Sequence, residues 1–155
     1  MIFQHTLEQV LNQQKSQTRR VIKPGEYAVR TRYNKILAVH NGRTKWEVGR
    51  TYAVQPKRGS SAVARIQITQ INSAIITRIR TEDAIAEGFL DRQEFLRTWV
   101  NIHGENSFNL RVWVLRFKLV GIMIETYPFR EKSVLAKEAI PYDYQRSDYS
   151  RPRLP

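Results

Sequence analysis

The 155-residue chain contains no cysteine. Disulfides and thiolate zinc sites are therefore excluded. Histidine is nearly as sparse, and His5, His40 and His103 lack the spacing of metal ligands. Neither a metal nor any other cofactor is expected. No uninterrupted apolar stretch approaches the ~20 residues a membrane-spanning helix requires. The first residues also lack the basic-then-apolar order of a secretory signal. A cytoplasmic protein with no membrane partner is the expectation. Acidic residues are short as well: 14 Asp+Glu face 26 Lys+Arg, for a net charge of +12.

A positive field of that size favours polyanionic partners and speeds their capture. Its distribution says more than its size. Residues 1–60 carry 12 Lys+Arg against Glu8, Glu26 and Glu47, a net of +9, whereas residues 61–155 carry 14 against 11, a net of +3. Nucleic acid is the expected partner, and the N-terminal half is where it is expected to bind. An apolar content of 41% excludes wholesale disorder. The length suits one domain with a buried core, acting as a monomer or weak dimer.

Periodicity along the chain predicts an α+β fold. Thr6 to about Gln13 reads as a short helix, with Thr6 and Gln9 in a capping-box pattern. Ser16 to Ile22 reads as extended and ends at the turn Lys23-Pro24-Gly25. Residues 26–47 are polar and basic, with a tight hairpin at Asn41-Gly42. Val48 to Val54 reads as a turn entering a strand. Ala62 to Ile71 alternates apolar and polar residues as a half-buried strand does, and Ile75 to Ile79 continues it or pairs with it. Thr81 is expected to cap a helix ended by Gly88. A second helix from Asp91 to Gly104 carries Phe95, Leu96, Trp99 and Ile102 as an inward stripe, with Trp99 in the core. Leu110 to Val120 is the strongest strand. Trp113, Leu115, Phe117 and Leu119 line one of its faces and Val112 and Val114 the other, which suits the centre of a curled sheet. Five or six mostly antiparallel strands with short flanking helices would close into a small barrel. Beyond residue 120 the composition changes. Ser133 to Ile140 suits one or two helical turns, and Pro141 to Pro155 suits an extended or disordered end. The tyrosines and arginines of Tyr142 to Arg151 either stack on bases or form a flexible end that packs on a neighbour.

The chemistry concentrates in Lys15 to Arg20. Lys15 stands three residues before Thr18, and a lysine near a hydroxyl can hold an anion or draw off a proton. Arg19 and Arg20 add planar, permanently charged forks suited to phosphate.

Three features carry a resemblance. They are Lys15-x-x-Thr18-x-Arg20 on the first strand, the helix Thr81 to Phe89 after the central strands, and Val112 to Phe117 as a closing strand. Together these resemble the ASCH domain family, part of the PUA-like group of RNA-associated β-barrels, over residues 1 to about 120. A basic hairpin insertion at about 26–47 and a C-terminal extension at 121–155 would complete the chain. The family pattern on that strand is G-x-K-x-x-E-x-R, which sets Gln13 at the glycine and Thr18 at the glutamate. The threonine is similar to small bacterial ASCH enzymes that hydrolyse N4-acetylcytidine. The resemblance implies that Lys15 and Thr18 act there with a glutamate of the later helix, best matched by Glu87.

Two functions follow, with a third behind them. The first is binding of single-stranded RNA or a modified nucleoside. Arg19, Arg20, Arg30, Arg32, Lys35, Arg43 and Lys45 would contact phosphates, and Tyr33 and Trp46, or Tyr27, would stack on bases. A basic hairpin suits a polymer, because a nucleoside hydrolase needs no such surface. The second is removal of acetyl from N4-acetylcytidine, with Thr18 as nucleophile, Lys15 as its base and Glu87 orienting Lys15 or shuttling a proton. Ribonuclease activity ranks third, because a lysine and a carboxylate would have to replace the usual histidine pair.

Overall fold

The computed structural model describes residues 1–123. The expected features of residues 124–155, including the helical turns at 133–140 and the Tyr- and Arg-rich end, lie outside the described residues.

Strand β7 (Arg111–Ile122) is buried on both faces, and the sheet is built around it. Its neighbours are β1 (Gln17–Val21) and β6 (Ala64–Ile75), both antiparallel. Trp113, Leu115 and Phe117 face an interior filled by Ile66, Ile68, Ile71, Val39 and Val54. On the other face, Val112 and Val114 pack with Ile76, Ile79, Ala84, Phe95 and Trp99. These last residues come from a 3-10 turn (Ile76–Arg78) and Ile79 just after it, the short helix α2 (Thr81–Ala86) and α3 (Arg92–His103), so the helices cover one side of the sheet.

The sheet has seven strands, not five or six. The additional strands come from the region read as a basic hairpin. β2 (Tyr27–Arg30), β3 (Ile36–Asn41) and β4 (Arg43–Glu47) form a meander, and β3 pairs with β6 at Ile36 and Ile71. Charged residues there hid buried ones: Ile36, Ala38, Val39 and Trp46 are all in the core. β5 (Thr51–Val54) pairs with the start of β6. Together they make a small α+β, open barrel-like sheet in which every named ladder is antiparallel.

One gap in this barrel positions the site. β1 is an edge strand. Across from it, the N-terminal segment lies along β5, with Phe3 N–H donating to the Gln55 carbonyl at 3.1 Å and Gln55 N–H to the Met1 carbonyl at 2.8 Å. A side chain spans the gap instead of a ladder: Arg20 Nη2 donates to the Ile2 carbonyl at 2.8 Å. A short helix, α1 (Leu7–Leu11), then packs Leu7 and Val10 into the same core as Phe3 and Phe117.

Several local expectations need correction. Neither Thr6 nor Thr81 caps a helix through its side chain. Thr6 makes no capping hydrogen bond, and Arg80 holds the N-cap position of α2. Asp91 does cap α3, accepting from Glu94 N–H at 2.8 Å. Ile75 ends β6, and the chain then turns instead of extending to Ile79. Ile102 is 52% exposed, off the inward stripe.

Beneath the meander, Glu26 joins three elements. It accepts from Trp113 Nε1 of β7 at 2.8 Å, from Lys45 of β4, and from the Lys23 backbone N–H at 3.2 Å. Burial pushes its carboxyl up, but these donors outweigh burial and hold it below the ordinary carboxylate value. Stability from this group is therefore present above about pH 4.3 and is lost as pH falls through the lowered value. Glu26→Gln should cost about 1–3 kcal/mol at pH 7. Urea unfolding from pH 7 to 3 should show a shallower acid loss in the variant than in the wild type.

Candidate functional site

The register of β1 on β7 sorts the motif residues by face. Cross-strand partners share a face, so Thr18 opposite Leu115 and Arg20 opposite Trp113 lie on the interior side. Arg19 opposite Val114 lies on the helix side. Because β1 is an edge, both sets reach round its free side into one cleft.

Helix α2 brings Glu87 to that cleft through its C-terminal cap. Gly88 N–H donates to the Ile85 carbonyl at 2.9 Å and Phe89 N–H to the Ala84 carbonyl at 3.1 Å, a Schellman motif with Gly88 in the left-handed conformation at φ +88°. Space adds a second demand for glycine, since a Cβ here would lie 3.0 Å from Gln9 Cβ and 3.3 Å from Lys15 Cβ. The chain before β1 completes the cap. Ser16 N–H donates to the Ala86 carbonyl at 2.9 Å, and the Lys15 ammonium donates to the Glu87 carbonyl. A cation at a helix C-terminus is also favoured by the dipole. Glu87 stands at the unfavourable end of its helix because two cations hold it there.

Those cations are Lys15 and Arg19. Lys15 Nζ donates to Glu87 Oε2 at 3.0 Å, and Arg19 Nη1 donates to Oε1 at 2.9 Å. Lys15, Arg19 and Glu87 are all buried. Arg19 also lies 3.6 Å from Asp83, a partly exposed carboxylate shared with Arg80 and Arg116. Burial pulls the Lys15 ammonium below the ordinary lysine value. Glu87 opposes that shift, and the charges of Arg20 and Arg19 add to it.

The cleft beside this triad has a volume of about 380 Å³. Its polar residues include Lys15, Thr18, Arg19, Arg20 and Glu87, and its apolar wall includes Phe3, Phe89, Phe95 and Trp99. The cations rest on this wall: Lys15 lies 5.9 Å from the Phe89 ring, Arg19 5.6 Å from Phe95 and Arg20 5.6 Å from Phe3. Glu87 uses two of the three Lys15 donors, which leaves one. Arg19 Nε is buried without an acceptor. The cleft thus sets buried cations beside an apolar wall, with one Lys15 donor left over. Among the described residues, no hydrogen bond joins the Thr18 hydroxyl to Lys15 or Glu87, and no three His, Asp or Glu side chains cluster as a cation site.

The remaining predicted residues divide. Arg43 and Lys45 line concavities that continue the basic surface from the cleft, and Lys45 is neutralised by Glu26. Arg30, Arg32, Tyr33 and Lys35 sit at the other end of the meander and do not line the cleft. Arg30 donates to Asn34, and Arg32 covers the Tyr33 ring at 4.6 Å. Trp46 is 7% exposed and packs with Ile36, Val39 and Leu115, and the little surface it keeps lines a neighbouring concavity, not the cleft. Trp99, read as core, is buried yet also forms a cleft wall, and His103 stacks on it with ring centroids 4.0 Å apart. His103 was overlooked because histidines were weighed as metal ligands. Its spacing of four from Trp99 on a helix was the available signal.

No protein-family model and no curated protein matches the sequence. Solved structures share the fold, among them the following two. A protein of Enterococcus faecalis V583 described by the family DUF984 aligns with a TM-score of 0.51 at 14% identity, over 78% of this chain and 73% of that one. An ASCH domain from Lactobacillus crispatus JV V101 aligns with a TM-score of 0.50 at 18% identity, over 74% of this chain and 70% of that one. The fold is ASCH-like.

Removing the Glu87 carboxylate would leave Lys15 and Arg19 buried without their shared partner. Glu87→Ala should therefore destabilise by about 3–5 kcal/mol, read as a shift in the denaturant midpoint. Removing Glu82 from its exposed pair with Arg80 should change stability by less than about 1 kcal/mol.

Proposed function

We propose that the protein binds single-stranded RNA or a nucleotide, with one base held in the cleft between β1 and α3. The observation that carries this reading is the pairing of an unmet Lys15 donor and its neighbouring arginines with an aromatic wall in one cleft. Uracil, cytosine and guanine have a carbonyl oxygen for the remaining donor of Lys15, and every base has a ring face for the partly buried Phe89. The volume lies within the roughly 300–1,000 Å³ of small-ligand pockets. The ASCH-like fold supports the same direction, and the excess of positive charge in the first 60 residues would draw in a polymer. Affinity for a mixed-sequence single-stranded RNA should fall with salt at a log–log slope of roughly 0.7 per phosphate contacted. Lys15→Ala should weaken it if the variant stays folded. An affinity indifferent to salt would contradict the proposal.

A second reading is removal of acetyl from N4-acetylcytidine. Its support is the convergence of Lys15, Thr18 and Glu87 on one cleft, with burial drawing Lys15 toward its neutral, basic form. Thr18 Oγ would add to the acetyl carbonyl while its proton passed to Lys15. The amine of cytidine would then leave, and water would free the acetate. This chemistry asks Lys15 to release a donor bond to Glu87, so binding ranks ahead of it. Acetate release that disappears in Thr18→Ala would support hydrolysis, and its absence with folded wild-type protein would remove it.

A further inference from the structure

We infer that a phosphate-binding subsite adjoins the cleft, formed by Arg20 and Lys23, so that the preferred ligand carries a phosphate beside the bound base. The inference rests on the base-binding reading above and goes further, because it selects nucleotides over free nucleosides.

A second concavity of about 520 Å³ shares Ile2, Arg19, Arg20 and His103 with the cleft as a common wall. Its lining adds Lys23 and Lys45 and contains no carboxylate. Lys45 is neutralised by Glu26. Arg20 and Lys23 make no ion pair among the described residues: Arg20 donates to the Ile2 carbonyl, and Lys23 is exposed. Burial holds the Arg20 guanidinium below its ordinary value, against the pull of the Glu87 charge, as expected of a charge partly withdrawn from water.

A partly desolvated guanidinium that shares the Glu87 charge with two cations already paired to it is incompletely compensated, and an anion relieves it. Phosphate fits the donors. A guanidinium offers it a planar fork, and an ammonium offers a point charge on a flexible stem. The shared wall sets a phosphate next to a base in the cleft, as covalent connection through a sugar requires. His103, stacked on Trp99 at that wall, separates the apolar compartment from the cationic one.

The test is displacement of a labelled single-stranded RNA by nucleosides, their 5′-monophosphates and a dinucleoside monophosphate whose sole phosphate is a diester. Each 5′-monophosphate should compete about tenfold better than its nucleoside. The gap should vanish in Arg20→Gln and in Lys23→Glu, and Lys23 is exposed enough to be replaced without loss of fold. A diester that competes as well as the monophosphates identifies a chain-internal phosphate, and one that competes no better than nucleosides identifies a terminal phosphate. Equal competition by nucleosides and monophosphates overturns the subsite and leaves the base cleft standing. If the RNA itself does not bind, the cleft reading fails. Phosphorus NMR of inorganic phosphate then decides the subsite alone, since line broadening lost in Lys23→Glu supports it and no broadening with wild-type protein overturns it.

Discussion

The site depends on a single buried carboxylate held by two cations. Glu87 takes Lys15 on one oxygen and Arg19 on the other, and its backbone carbonyl takes Lys15 again. These bonds tie the end of α2 to the chain entering β1, and so tie the helical layer to the free edge of the sheet. A charge so deeply buried costs several kcal/mol unless its partners and geometry are good. Here the geometry is fixed by Gly88, whose left-handed turn and lack of Cβ let Gln9 and Lys15 close over the helix end.

The same arrangement leaves charge over. Lys15, Arg19 and Arg20 gather around Glu87, with Asp83 partly exposed and divided among Arg19, Arg80 and Arg116. One donor of Lys15 remains unused, beside aromatic rings that cover one side of the cleft. On the proposed reading, ion pairing and ligand recognition would use the same residues.

Much of this was legible in the sequence, for identifiable reasons. The two-sided pattern of Val112 to Phe117 marked the central strand, and Lys15 to Arg20 marked the site because hydroxyl and cations crowd one short extended run. Glu87 was reached through the family resemblance and its odd place at a helix C-terminus. Trp46 was misread because its neighbours Arg43, Lys45 and Glu47 are polar, although alternation on β4 turns the tryptophan inward. Ile2 and Phe3 could not be found at all, because nothing local says that the N-terminal segment lies along β5. The aromatic wall went unrecognised for a related reason: Phe95 and Trp99 satisfy a helix's core stripe, and only the packing against β1 shows that the stripe also borders a cleft.

The most direct measurement is NMR of the arginine Nε–H, tryptophan indole and histidine ring signals as a short mixed-sequence single-stranded RNA is added. Binding in the cleft predicts that the Arg19 Nε–H, Trp99 indole and His103 ring signals shift together and saturate at one affinity. Shifts confined to Arg30, Arg32 and the Tyr33 backbone, with the cleft signals unmoved, would contradict it.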